Sequence, residues 1–177
     1  MAASDTFDFQ PKLIGDTLVL RPLLASDLDG LCMAAADPFI WEQHPSPQRY
    51  QREIFEKEFF SGALASGSAF VIEERNTGRI IGSSRYYDWQ PESREIAIGF
   101  TFLIRDHWGG STNLELKNLM LQHAFQWANR VWFHIGKNNW RSRKGTEKIG
   151  ARFSHEDNRE INGTVHEYAF YAIEKPD

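Results

Sequence analysis

Along TLVLRPL, apolar and polar side chains alternate, which predicts a first strand over 17–21 ended by Pro22. Ser26 or Asp27 can cap a helix running to about Ala36, where Asp37-Pro38 stops it. Beyond the Pro- and Trp-containing stretch DPFIWEQHPSPQRY, the residues Tyr50, Ile54, Phe55, Phe59 and Leu64 recur at helical spacing. They predict a helix from Gln48 to about Ser61. SAFVIEE and RIIGSSRYYD flank Asn76-Thr77-Gly78 and read as a hairpin. EIAIGFTFLI, residues 95–104, is the most strand-like run in the chain. The period then lengthens: Leu116, Met120, Ala124 and Ala128 share one helical face, with Leu121 and Phe125 beside it. VWFHI is a short strand, and RSRKGTEKIG a short helix ending at Gly150. Segments around Phe153 and from Thr164 to Ile173 complete the pattern as two strands, joined by the tight turn Asn162-Gly163.

The resulting order is strand, two helices, three strands, helix, strand, helix, two strands. It predicts a mixed sheet with helices on both faces. At 177 residues and 41% hydrophobic content, the chain suits one domain with its own core. We expect a flexible N-terminal segment over 1–15 and a single domain over 16–177. One cysteine, Cys32, excludes an internal disulfide and any multi-cysteine metal site, and no metal is expected. No apolar run has the length of a membrane span, and MAASDTFDFQ has no signal-peptide pattern, so a cytoplasmic protein without a membrane partner is expected.

Charge sharpens the picture locally. Lys and Arg number 20 against 24 Asp and Glu, a formal charge of -4, which argues against a general nucleic-acid binder. Yet Lys137, Arg141, Arg143, Lys144, Lys148 and Arg152 stand close together with one acid among them, Glu147. Upstream, in RDHWGGSTN, Gly109 and Gly110 let backbone approach a ligand, and the next helix begins with free N–H groups suited to a phosphate. The segment is neither a GxGxxG nor a Walker loop, and it also reads as a plain loop entering a helix. The basic helix reads equally as a solvated face. Together, the two segments point toward a phosphorylated cofactor.

These residues carry a resemblance. DPFIWEQHP, VIEERNTGRIIGSSRYYD, EIAIGFTFLIRDHWGGSTNLELKNLMLQHAF and VWFHIGKNNWRSRKGTEKIGA are similar to the GCN5-related N-acetyltransferases (GNAT). Within them, the chain resembles the branch that acetylates ribosomal-protein N-termini. The resemblance implies an α+β (mixed α/β) fold: a mostly antiparallel sheet of about seven strands with a V-shaped splay and about four flanking helices. The strand 95–104 would diverge from 131–135. Backbone near Phe102, Leu103 and Ile104 would pair with the pantetheine of acetyl-CoA, and the N–H groups of Trp108, Gly109, Gly110, Ser111, Thr112 and Asn113 would receive its pyrophosphate. Asn139 resembles the pantetheine contact, Ser142 the serine near the leaving thiol, and Arg141, Arg143 and Lys144 candidate phosphate partners. The family's cofactor loop reads Gln/Arg-x-x-Gly-x-Gly/Ala. Here Ser111 replaces its second glycine and Asn113 its small residue, with Asn113 slightly favoured as a helix cap. The tyrosine acid of the wider family is replaced by Thr146.

The implied reaction is direct acetyl transfer to a primary amine, either a peptide N-terminus or a small molecule. A non-catalytic acyl-CoA-binding or regulatory module is the alternative. A base must take the amine's proton. Glu95 is the leading candidate and His134 another, with Asp88 and Glu42 also near expected acceptor loops, while Glu115 favours its helix N-terminus. A backbone N–H near Leu103 would hold the oxyanion, and Ser142 is the candidate acid. Trp41, His44, Arg85 and Tyr87, with Tyr86 and Trp89, would form the acceptor site or else belong to the core. A monomer or homodimer is expected, with no nucleic-acid partner.

Overall fold

Alternating burial along β2, where Leu18 and Leu20 point inward, sets the first rung of a sheet that runs nearly the length of the chain. The computed structural model describes residues 6–177. Its strands are β1 (Leu13–Ile14), β2 (Leu18–Pro22), β3 (Ala69–Glu74), β4 (Ile80–Gln90), β5 (Glu95–Leu103), β6 (Arg130–Gly136), β7 (Arg152–Ile161) and β8 (Thr164–Glu174). They form one 8-stranded sheet in the order β1-β2-β3-β4-β5-β6-β8-β7. Neighbours are antiparallel except β5 and β6, which run parallel because a helix crosses between them. The helices are α1 (Leu28–Ala35), α2 (Pro38–Trp41), α3 (Arg52–Phe55), α4 (Ser61–Ser66), α5 (Thr112–Ala124) and α6 (Trp140–Lys148). This is the mixed, mostly antiparallel architecture expected from the sequence, with one short strand more.

That extra strand lies in the segment expected to be flexible. Phe7 is 4% exposed, set among Tyr86, Trp89, His123 and Trp127. Gln10 donates to the Ala69 carbonyl (2.9 Å), His123 Nε2 meets the Asp8 carbonyl (2.7 Å), and Leu13–Ile14 pair with β2. Residues 6–15 are therefore held by the fold, because an aromatic side chain there fills a gap between α5 and the sheet. Residues 1–5 lie outside the described residues.

Burial of every residue from Ile81 to Tyr86 shows that the sheet is covered on both faces. Tyr86 turns toward α5 and donates to the Met120 carbonyl (2.5 Å), while its neighbour Arg85 turns the other way, against Phe59. The helix expected over 48–61 starts later and ends later. α3 and α4 are joined by a widened π turn, Glu56–Phe60, and Gly67 in the left-handed region (φ 64°) ends the run. The Glu58 and Phe59 carbonyls in that turn accept from Arg49 and Arg85, both at 3.4 Å. Asn162 (φ 51°) and Gly163 (φ 79°) make the expected tight turn between β7 and β8. Among the described residues, no helix is long and apolar enough to cross a membrane.

Candidate active site

The parallel ladder between β5 and β6 is short. Only Glu95–Ala97 pair with Arg130–Trp132. Beyond that point β5 continues to Leu103 on β4, and β6 continues to Gly136 on β8, so each arm is held from outside while its inner edge faces the other. The cause is local. Phe100 adopts φ 51° where the β4–β5 register shifts, a bulge that bends β5 and increases its twist. A second bulge, at Asp88 (φ 52°), bends β4 alongside it. The product is the V-shaped splay implied by the resemblance.

Along the β5 arm, the Ile104 N–H bonds to Ile81 of β4 (2.8 Å), so alternation turns the backbone groups of Leu103 toward the opening. The Leu103 carbonyl accepts from the Trp108 indole (2.9 Å). The strand then leads through Arg105–His107 and a left-handed Gly109 (φ 74°) to α5. A Cβ on Gly109 or Gly110 would meet nothing within 4 Å, so this loop presents its backbone to open space. His107 braces it, with Nε2 2.9 Å from Glu74 and Nδ1 3.0 Å from Thr112 Oγ1. Ser111 is the residue before α5 and makes no side-chain cap, and the first helical bond runs from the Glu115 N–H to its carbonyl (3.0 Å). The intervening N–H groups are thus left without helical partners. Asn113 is not the cap. A Cβ on Gly145 would lie 3.5 Å from its Nδ2, so α6 passes close by the start of α5 and the two phosphate-suited segments meet.

The basic helix is less free than its sequence suggested. Arg141 pairs with Glu42 (2.8 Å), donates to the Phe39 carbonyl (3.0 Å) and stacks on Trp108 (4.1 Å to the ring centroid). Arg143 donates to the Tyr171 hydroxyl (3.0 Å) and the Lys137 carbonyl (2.8 Å). Both guanidinium groups tie α6 to its surroundings. Lys144 is exposed and makes no ion pair or hydrogen bond among the described residues. Asn139 caps α6, accepting from the Ser142 N–H (3.3 Å), and the Ser142 side chain is exposed. An extended strand edge, a run of free N–H groups and the exposed cations Lys144 and Lys148 together form a surface suited to an extended polyanion.

At the closed end of the V, Glu95 lies 3.2 Å from Arg130 and accepts from the Trp132 indole (2.9 Å). It lines a cavity of about 260 Å³ together with Asp88, Trp132, His134, His155 and Phe170. Gly99 has no Cβ to meet the Tyr87 ring, which crosses β5 so that its hydroxyl stands 3.0 Å from His134 Nδ1. The Arg159 guanidinium also faces Nδ1. With donors on that nitrogen the ring is the neutral Nε2–H tautomer, and burial, aided by Arg159 and His155, brings its pKa down to about 4. Burial pushes the Tyr87 hydroxyl up, so it stays protonated.

The other candidates divide. Trp41 is 3% exposed, donates to the Ala35 carbonyl (2.9 Å) and packs on Phe59 and Phe102. It packs as core, the second of the two readings its sequence left open. Tyr86 is core as well. Arg85 is buried with its guanidinium 3.8 Å from the Phe100 ring centroid and its Nε unpartnered. Burial and then Arg49 bring its pKa down to about 10. His44 lines a second cavity of about 390 Å³ with Glu42, Pro45, Gly136 and His166. Burial, then Arg49, brings its pKa down to about 3. Glu115 accepts from the Thr17 and Leu18 N–H groups (2.8 and 3.2 Å), binding α5 to β2. One residue was missed by the sequence reading: Lys117, 5% exposed, whose Nζ reaches Thr101 Oγ1 (2.6 Å) inside the V. Its position three before Met120 and four before Leu121, on an otherwise apolar face, was the available signal.

Residues 17–152 match the family model for an acetyltransferase (GNAT) domain. Among solved structures, the chain is similar to a GCN5-related N-acetyltransferase from Brucella melitensis: 21% identity, TM-score 0.79, covering 93% of this chain and 79% of that one. It is similar to a Vibrio cholerae protein proposed to be a ribosomal-protein-serine acetyltransferase: 14% identity, TM-score 0.76, covering 94% and 99%. It is also similar to the microcin C7 self-immunity acetyltransferase MccE, solved with acetyl-CoA and AMP: 14% identity, TM-score 0.72, covering 94% and 98%. At these identities the likeness is one of fold. No curated protein matches the chain in sequence.

Proposed function

The chain belongs to the GNAT acetyltransferase family and is an acetyl-CoA-dependent acyltransferase; from that premise we propose that its acceptor is a primary amine, with a protein or peptide N-terminus as the favoured class. One observation carries the mechanism: the V has two chemically different ends. Its open end carries the unpaired N–H groups of α5 and the free Lys144, and its closed end carries the carboxylate of Glu95 in a cavity. A donor thioester entering from the open end and an amine entering from the cavity approach each other along the splay.

On this reading the first-turn N–H groups from Thr112 onward hold the pyrophosphate. The edge of Phe102–Ile104 pairs with the pantetheine, with the Trp108 indole giving up the Leu103 carbonyl as it binds. Glu95 accepts the amine's proton, directly or through water in the cavity, since an ammonium has no lone pair with which to attack. The Leu103 N–H faces the carbonyl oxygen as it becomes an oxyanion. His134, neutral and held by Tyr87 and Arg159, shapes the cavity wall and leaves the base role to Glu95. The peptide class is supported by the likeness to the Vibrio cholerae protein, and the single-domain reading of residues 16–177 by the continuous sheet that β2 to β8 form within them.

The test is to incubate the protein with acetyl-CoA and pooled peptides and small amines, following free thiol and then product masses. Thiol release with acetylated peptide N-termini is expected. Acetylation confined to small amines would overturn the peptide class, and absence of acetylated product across the pool would overturn the amine reading.

A further inference from the structure

Lys117 is a charged residue in an apolar place. Its neighbours along the buried side of α5, Leu116, Met120 and Ala124, are fully buried, and the lysine itself is 5% exposed. Its Nζ lies between the two arms of the V. On β5 it is 2.6 Å from Thr101 Oγ1, one residue past the bulge at Phe100. On β6 it is 5.6 Å from the ring centroid of Phe133, the first residue beyond the last β5–β6 pair, Ala97 with Trp132. The group therefore stands where the arms begin to separate.

Its partners are neutral. Thr101 Oγ1 also meets Ser84 Oγ of β4 (2.8 Å), and Phe133 offers only its ring. No charged group on α5, β4, β5 or β6 contributes to its titration; burial alone brings its pKa down to about 7. A buried ammonium without an anion is unfavourable. It becomes favourable when negative charge appears beside it. In the reading above, a chain running inward from the α5 N-terminus past Leu103 ends where the strands close, at Thr101 and Phe133. That end carries the sulfur.

We propose that Lys117 is a catalytic residue that donates a proton to the sulfur of coenzyme A as it leaves. The assignment rests on the acetyl-CoA reading of the splay. The amine's lone pair forms the C–N bond, the C–S bond breaks with its electron pair on sulfur, and an Nζ proton moves to that sulfur. Lys117 is left as a neutral amine and regains a proton from solvent after the thiol departs, while Glu95 holds the proton lost by the acceptor. The lysine thereby fills the acid role for which position 146 offers only a buried threonine.

The experiment titrates the thiol of bound coenzyme A by its thiolate absorbance, in the native protein and in Lys117→Met and Lys117→Gln, with calorimetry measuring coenzyme A binding. We expect binding to change less than about threefold, and the bound thiol to titrate roughly one unit lower in the native protein than in either variant. Turnover at neutral pH should fall on the order of 100-fold with little change in KM for acetyl-CoA. If coenzyme A binds and its thiol titrates identically in native protein and variant, Lys117 is not the donor, although the acetyl-CoA reading stands. If the native protein binds no coenzyme A, that reading fails and the assignment falls with it. Two variants are specified so that misfolding of one leaves the other to decide.

Discussion

Replacing Glu95 by Gln separates chemistry from stability at the closed end of the V. The carboxylate has two contacts, Arg130 at 3.2 Å and the Trp132 indole at 2.9 Å. Gln keeps an oxygen that can accept from Trp132, so the loss is confined to the charge. Arg130 retains Glu174 as a second carboxylate (2.5 Å), so no cation is stranded. The Arg130 and Glu95 side chains are 39% and 26% exposed, and a pair so open to water contributes about 0–1 kcal/mol. Stability should therefore fall by no more than about 1 kcal/mol, a few degrees in Tm for a domain of this size. Loss of a general base, in contrast, costs roughly 100- to 10,000-fold in rate, about 3–5 kcal/mol of barrier. The assay is thiol release from acetyl-CoA with an accepted amine from pH 5.5 to 9, alongside thermal unfolding. Glu95→Gln should retain acetyl-CoA binding and lose at least 100-fold in kcat. Native turnover in the variant would remove Glu95 from the mechanism.

Two further outcomes follow from buried charge. His44 and His134 titrate in the fold at about 3 and about 4, below the roughly 6.5 of an unfolded histidine. Their depressed values mean that the unfolded chain binds protons first as pH falls below about 6.5, so stability declines by up to about 1.4 kcal/mol per pH unit for each. Calorimetric unfolding between pH 7 and 5 should show this slope. His44→Asn with His134→Asn, whose amide oxygens replace the accepting Nδ1 atoms, should flatten it, and an unchanged slope would place the proton uptake elsewhere. Arg85→Met removes a buried cation with an orphaned Nε and a repulsion with Arg49 while filling the same space. It should be neutral to within about 1 kcal/mol or stabilising, whereas Arg85→Ala should cost about 2–4 kcal/mol as a cavity. Equal loss in both would show that the guanidinium itself supports the fold.

The elements were largely legible because each carries its own periodicity. EIAIGFTFLI reads as a strand and the run through Leu116, Met120 and Ala124 as a helix without knowledge of their neighbours. Asn162-Gly163 announced its turn by the same local logic, since both residues tolerate positive φ. Burial of the N-terminal segment was not legible. Phe7 is an isolated aromatic in a polar stretch, and only the gap left by Tyr86, Trp89, His123 and Trp127 gives it a place.

Within the candidate site the division is similar. The GGSTN junction marked the start of α5 and its free N–H groups, because glycine content and helix onset are local properties. The basic run from Lys137 to Arg152 showed where positive charge is concentrated, but not its direction. Arg141 turns to Glu42, distant in sequence, and Arg143 to Tyr171, leaving Lys144 exposed. Lys117 passed as one more helical lysine, since the burial that lowers its pKa comes from strands before and after it.

The sequence by itself determined the order of strands and helices, the turn at Asn162-Gly163, the loop that opens α5, and the placement of Glu95 and His134 each on a strand. These follow from periodicity, backbone freedom and residue type, which act over a few positions. Tertiary structure decided that β5 and β6 part after Ala97, that Trp41 is core, that two arginines of α6 are engaged, and that a lysine stands between the arms of the V. Each of those outcomes depends on which distant side chain excludes water or supplies a partner, and so on the free energy of the packed whole.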